Sequence, residues 1–293
     1  MNKKKPREGV VDVPGARLRY RLAGISNAPL LVFENGWGAS YEQWFWIERE
    51  LADHAQLLFY NRAGIGESEL LTAQTVKGLS DQFAALPAAL GFKQPVVAIG
   101  HSYGGLMCSL HASQRRDVLK AVVELDPTPE TSDPVLDGNL RSLGPAVRLV
   151  KIGLALRLPN LLFGSLGKSL PPELGAEMMR CSLSNSASLD AGMTEFALLN
   201  DIRAAIANGQ PKEFSRLLIG AGAKAESAGI IGRLLASPKR VDETYAHSKA
   251  MQRERAVNDP GCRTIQLPFD HSGVVFDEAG AKACALEILK FLA

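Results

Sequence analysis

The chain has 293 residues, a length that fits one domain with a large insertion or two small domains. Hydrophobic residues make up 46% and charged residues 22%, the ordinary globular mix. The 33 basic and 31 acidic residues leave a net charge of +2, so no single-sign field argues for a nucleic-acid partner.

The basic start Lys3-Lys4-Lys5-Pro6-Arg7 reads as a short solvated tail. No apolar region follows it, so it does not read as a secretory signal. No run of about eighteen apolar residues occurs, and no membrane span is expected. Cys108, Cys181, Cys262 and Cys284 are widely spread, without a C-x-x-C pair or zinc-site spacing. They are expected as free buried thiols in a reducing compartment, so the expected location is the cytoplasm.

Residues 10–23 alternate loosely through Val11, Val13, Leu18, Tyr20 and Leu22, which predicts an edge hairpin turning at Pro14-Gly15. Leu30 to Phe33 is a short apolar strand, broken by Asn35-Gly36-Trp37-Gly38. Aromatic residues at helical spacing fill 41–52, and Leu57 to Tyr60 is the next strand. Residues 75–90 place Val76, Leu79, Phe83, Leu86 and Leu90 on one helical face, with Gly91 as cap. A strand at 95–99, a helix at 104–115 and a strand at 121–125 follow. Strands apolar throughout, alternating with helices, predict a parallel sheet covered on both faces.

That rhythm stops at residue 127. Segments 140–157 and 174–206 look helical, and no central strand is evident across 128–210. This region reads as a helical cap inserted between two strands, with a core formed by 1–127 and 211–293. The sheet resumes at 214–219. A polar helix near 239–257, a strand at 263–267 and a last helix at 277–292 complete the chain.

The chemistry centres on Gly100-His101-Ser102-Tyr103-Gly104-Gly105, which joins a β-branched strand to a helix. Glycines two residues either side of Ser102 let strand and helix approach around a strained turn that exposes the hydroxyl. A serine hydroxyl needs a base at neutral pH. Of five histidines, His271 follows the strand 263–267, where a loop can reach Ser102 across the strand ends. His101 reads as packing or loop support, His54 and His111 as surface or packing residues, and His247 as part of the polar helix.

A third group must orient the imidazole and stabilise its charged form. Four residues are candidates: Asp126, at the end of the strand after the nucleophile helix; Glu226, after strand 214–219; Asp242, at the start of a helix; and Glu124, inside the Asp126 strand. Developing negative charge needs donors, and the backbone amides of Trp37 and Tyr103 are placed for it. Asn61-Arg62-Ala63-Gly64-Ile65-Gly66 lacks a phosphate-loop order and its lysine, so Arg62 reads as a brace beneath the site.

Together these motifs resemble the α/β-hydrolase superfamily, over essentially the whole chain apart from the cap. Gly100 to Gly105 resembles its nucleophile elbow. Asn35-Gly36-Trp37-Gly38 resembles its oxyanion turn, with Asn35 where histidine is usual, and Asn61 to Ser68 its Asp-Arg-x-Gly-x-Gly-x-Ser loop, with Asn61 for aspartate. Asp270-His271 resembles the terminal histidine region. The chain departs after strand 214–219, where the family's usual aspartate is missing from Gly220 to Glu226. Some members take the acid from the preceding strand, here Asp126.

The resemblance implies an α/β fold with a mostly parallel central sheet, flanking helices and a cap. It implies a serine nucleophile, no metal and no organic cofactor. The expected function is hydrolysis of an ester or lactone of a small apolar acyl substrate. The serine argues against the branches that use aspartate, the dehalogenases and epoxide hydrolases. The alternatives are a cofactor-free oxygenase or lyase of the same fold, or a small-ligand receptor. The first cap segment, 143–163, carries Leu143, Val147, Val150, Leu154, Leu158, Leu161, Leu162 and Phe163. It is expected to pack over the pocket or to meet lipid surfaces.

Overall fold

The structure, a computed structural model, describes residues 5–132, 137, 147–148, 151, 169–182, 185–209, 215–223, 238–259 and 261–293. Strands β1 (Arg7–Val13) and β2 (Ala16–Gly24) form the expected edge hairpin, with Gly15 at φ 70° in its turn. Then come β3 (Leu30–Glu34), a 3₁₀ turn at Tyr41–Trp44, α1 (Phe45–Leu51), β4 (Gln56–Tyr60) and the short β5 (Glu69–Leu70). Helix α2 (Val76–Ala89), β6 (Val96–His101), α3 (Tyr103–Gln114) and β7 (Leu119–Leu125) follow. Among the described residues, three helices with stated bounds then precede the next strand: α4 (Pro172–Cys181), α5 (Ser186–Ala197) and α6 (Leu199–Ala207). The chain closes with β8 (Arg216–Ala221), α7 (Pro238–Asn258), β9 (Cys262–Leu267), α8 (Gly273–Phe276) and α9 (Glu278–Leu292).

The strands form one sheet in the order β1-β2-β4-β3-β6-β7-β8-β9, with β5 paired to β2. The β1, β2 and β5 pairings are antiparallel, and every pairing from β4 to β9 is parallel. Alternation along each strand divides its side chains between two cores. Leu31 and Phe33 face one layer, with Trp44, Ile47, Leu51, Cys284 and Ile288 from α1, α9 and the 3₁₀ turn. Leu30 and Val32 face the other, with Phe83, Leu86 and Cys108 from α2 and α3. Each large apolar side chain so buried contributes about 1.5–3 kcal/mol against exposure.

The span expected as one helical segment at 174–206 is divided into three helices. Asn185 starts the second of them: its side chain accepts the amides of Ala187 at 2.9 Å and Ser188 at 3.2 Å, capping the helix. These helices form the inserted cap, and Leu199 and Ile202 of α6 pack on Leu79, Tyr103, Leu106, Met107 and Leu110 of the core. Of the apolar segment 143–163, only Val147, Arg148 and Lys151 are among the described residues. Among the described residues no helix is long and apolar enough to cross a membrane.

The first turn of α3 presses against the end of β3. A methyl group on Gly104 would lie 2.0 Å from the Glu34 carbonyl oxygen, and one on Gly100 would lie 2.1 Å from the Gly104 carbonyl oxygen. Both neighbours are backbone and cannot swing aside. Gly104→Ala is therefore expected to lower the free energy of unfolding by about 3 kcal/mol, the upper end for overpacking. Urea denaturation of the variant beside the wild type measures it.

Candidate active site

Ser102 sits between β6 and α3 at φ 56°, ψ −119°, a conformation side chains rarely adopt. Its amide donates to the Leu125 carbonyl at 3.0 Å, and its carbonyl accepts the Thr128 amide at 2.9 Å. The turn is thus stitched to the end of the neighbouring strand. Asp126, next after β7, is also left-handed at φ 40° and is held by its amide to the Ile219 carbonyl at 2.7 Å.

The loop after β9 carries His271 to these two residues. Its Nε2 lies 3.0 Å from Ser102 Oγ, and its Nδ1 lies 2.6 Å from Asp126 Oδ2. The other carboxylate oxygen of Asp126 accepts the Ala221 amide at 3.0 Å and the Gln252 Nε2 at 3.0 Å. Burial alone would raise the Asp126 pKa. The His271 hydrogen bond, the His271 charge and the Ala221 amide outweigh it and hold the group at about 2. Burial acts against protonated His271, yet the Asp126 hydrogen bond and charge, with Asp270 behind them, raise its pKa.

His101 supports this loop, as expected. Its Nε2 donates to the His271 carbonyl at 2.9 Å and its ring lies 4.8 Å from that of His271. Burial, then the neighbouring His271, lowers its pKa to about 3, so His101 stays neutral. Among the other acid candidates, Glu124 is fully buried and paired with Arg216 at 2.8 Å and Arg255 at 2.9 Å. Asp242 is exposed on α7, and Glu226 lies outside the described residues. His54 is exposed. His111 is buried, stacked on Phe83 and bonded to Glu34 at 2.9 Å.

Trp37 stands in the turn after β3. Tyr103 opens α3, so its amide has no acceptor within the helix. Arg62 braces this turn from below, donating to the carbonyls of Asn35 at 2.6 Å and Gly36 at 2.9 Å. Asn35, where the resemblance expects histidine, bridges inward instead, donating to the Tyr60 carbonyl at 2.8 Å and accepting from Trp44 Nε1 at 2.8 Å. Asn61 accepts the Tyr41 amide at 2.8 Å. Both asparagines tie loops together.

Gln252 escapes a reading of the sequence. It lies in the polar helix α7, and its approach needs Gly220, whose hypothetical methyl would be 2.1 Å from Gln252 Oε1. A cavity of about 830 Å³ lies behind Asp126, lined by Thr128, Gln252, Arg216 and Arg255 but by neither Ser102 nor His271. Of its lining residues, Arg216 and Arg255 both meet Glu130, and both also meet Glu124.

Known proteins agree with this architecture. A family model described as the alpha/beta hydrolase fold matches residues 29–147, from β3 through the Ser102 turn and into the insertion. The chain carries the alpha/beta-hydrolase fold. A hydrolase from Pseudomonas aeruginosa is similar at 22% identity, with TM-score 0.67 over 98% of each chain. An enol-lactonase from Burkholderia xenovorans LB400 is similar at 21% identity, with TM-score 0.60 over 97% of this chain and 99% of its own. The Bacillus subtilis protein YqjL is 33% identical over 121 residues, 41% of this chain and 48% of its own length. The chain thus spans about half the length of that relative.

The raised His271 pKa has a direct test. By NMR titration, His271 of this alpha/beta-hydrolase-fold protein is expected to titrate above the ordinary histidine value of about 6.5. In Asp126→Asn, which removes the charge while keeping the shape, the midpoint is expected to move down. Any rate that requires neutral His271 falls as pH drops through that midpoint, so its acid limb moves the same way. An unmoved midpoint contradicts the pairing.

Proposed function

We propose that the protein is a serine hydrolase that cleaves an ester or lactone of a small apolar substrate through an acyl-enzyme. The observation that carries this reading is the Ser102–His271–Asp126 chain of contacts, 3.0 Å and 2.6 Å long, on a strained strand-to-helix turn. Ser102, His271 and Asp126 are the proposed nucleophile, base and orienting acid. Trp37 and Tyr103 are the proposed amide donors.

In this mechanism His271 Nε2 takes the Ser102 Oγ proton as Oγ attacks the carbonyl carbon. The carbonyl oxygen gains the negative charge and is held by the two amides. The tetrahedral species collapses, and the imidazolium gives its proton to the departing alkoxide. Water, deprotonated by His271, then attacks the Ser102 ester, and the imidazolium returns that proton to Ser102 Oγ as the C–O bond breaks and the acid leaves. Asp126, held well below the usual carboxylate range, remains ionised throughout and stabilises the imidazolium.

A serine favours ester-type bonds over epoxides for a chemical reason. Attack on an epoxide carbon would leave an ether on Ser102, with no carbonyl for water to attack. The enol-lactonase acts, by its name, on a lactone, one of the two bond types proposed here. We assign residues 128–210 to the cap. Four free cysteines support a cytoplasmic setting.

A fluorophosphonate probe should add once to wild type and not at all to Ser102→Ala, as read by intact-protein mass. On p-nitrophenyl esters of rising chain length, wild type should turn over with a chain-length optimum. Ser102→Ala should lose about 10⁴-fold or more in kcat/KM. No adduct and no turnover with folded wild type overturns the reading.

A further inference from the structure

We propose that cap helix α5 positions the oxyanion turn, with Glu195 and Gly192 as its positioning residues. The inference rests on the proposed roles of Ser102, Trp37 and Tyr103. It adds that the hole is completed by the cap and not by the core alone.

One face of α5, at helical spacing, meets the loops of the site. Trp37 Nε1 donates to the Gly192 carbonyl at 2.7 Å, and the indole stacks on Phe196 at 4.3 Å and 20°. Tyr103 Oη donates to the Glu195 carbonyl at 3.2 Å. Both residues whose amides would hold the oxyanion are therefore tied by their side chains to neighbouring turns of one cap helix. Ser188, one turn earlier, accepts the Gly66 amide at 2.9 Å.

Arg62 closes the arrangement. It donates to the Asn35 and Gly36 carbonyls, just before Trp37, and to both carboxylate oxygens of Glu195, at 2.5 Å and 3.0 Å. Arg62 and Glu195 are both 4% exposed in their side chains. Glu34 also meets Arg62, at 3.3 Å, but Glu195 takes the shorter, two-oxygen contact, and a buried guanidinium that loses such a partner is costly, so Arg62 holds the turn in place best while Glu195 is seated. Gly192 has a separate role. A methyl there would lie 3.1 Å from the Trp37 Nε1 and 3.2 Å from Cε2, so glycine lets the indole lie against the helix.

Seating of α5 and stabilisation of negative charge are then one event, so a loosened helix should act on kcat rather than on KM. Glu195→Gln removes the nearer of the two carboxylate charges that hold Arg62, and Gly192→Val displaces the indole. With p-nitrophenyl butyrate, each is expected to lower kcat about 10-fold or more with KM within about 3-fold, a fraction of the loss for a missing donor. Affinity for an alkyl boronic acid, which places an oxygen in the hole, should fall in parallel. The pH midpoint set by His271 should not move. Thr194→Ala, on the exposed face of α5, should match wild type. If a variant fails to fold, Gly192→Ala asks the indole to yield only slightly, and about a 3-fold fall in kcat is expected.

Unchanged kcat, or a rise in KM alone, overturns the proposal and leaves α5 as pocket wall. If wild type neither turns over nor takes the probe, the hydrolase reading fails by itself. Amide hydrogen exchange at Trp37 then decides: faster exchange in Glu195→Gln sustains the positioning role, and equal rates overturn it.

Discussion

Two left-handed residues at the ends of adjacent strands, Ser102 and Asp126, fix the geometry on which the rest of the site depends. Such conformations cost about 1–3 kcal/mol each and persist only where surroundings over-determine them. Here the amide of Ser102 bonds to Leu125, that of Asp126 to Ile219 and that of Thr128 to Ser102. Each strand end is locked by its neighbour. The fully buried residues of β6, β7 and β8 on both faces of the sheet keep those ends in register. The strain is thus offset by ordinary sheet packing, and the hydroxyl and carboxylate emerge at fixed positions.

Charge inside this protein is paired wherever it shapes the site. Asp126 receives His271, Ala221 and Gln252. Burial would raise the Glu34 pKa, but His111, Arg62 and Tyr60 hold it down. Arg62 in turn meets Glu195, Glu34 and two carbonyls. A buried polar group without partners is costly, so each such network also fixes a loop. His101 contributes from the other direction: it remains neutral and its Nε2 bonds to the His271 carbonyl.

Much of this was legible in the chain itself. Apolar strands, the amphipathic face of 75–90 and the glycines around Ser102 specify local structure through short-range sterics and period. The loop position of His271 follows from its place after a strand. The choice among Asp126, Glu226, Asp242 and Glu124 was open, because an acid can reach a histidine from either of two strand ends. Gln252 carried no motif, and its role arises from the close passage of α7 over Gly220. Glu195 and Gly192 looked like ordinary helix residues. Their partners lie 92 to 155 residues away in the chain.

The amino-acid sequence by itself determined the alternation of elements, the strained serine turn, the loop position of His271 and the glycine-rich turn that precedes Trp37. These depend on neighbours in the chain, through backbone sterics and hydrophobic period. Only the tertiary structure decided that Asp126 completes the contact to His271, that Glu124 instead serves Arg216 and Arg255, and that α5 grips Trp37, Tyr103 and Arg62 together. Those outcomes depend on which strand ends adjoin and on which helix face the cap presents. Both are set by the packing of segments distant in sequence.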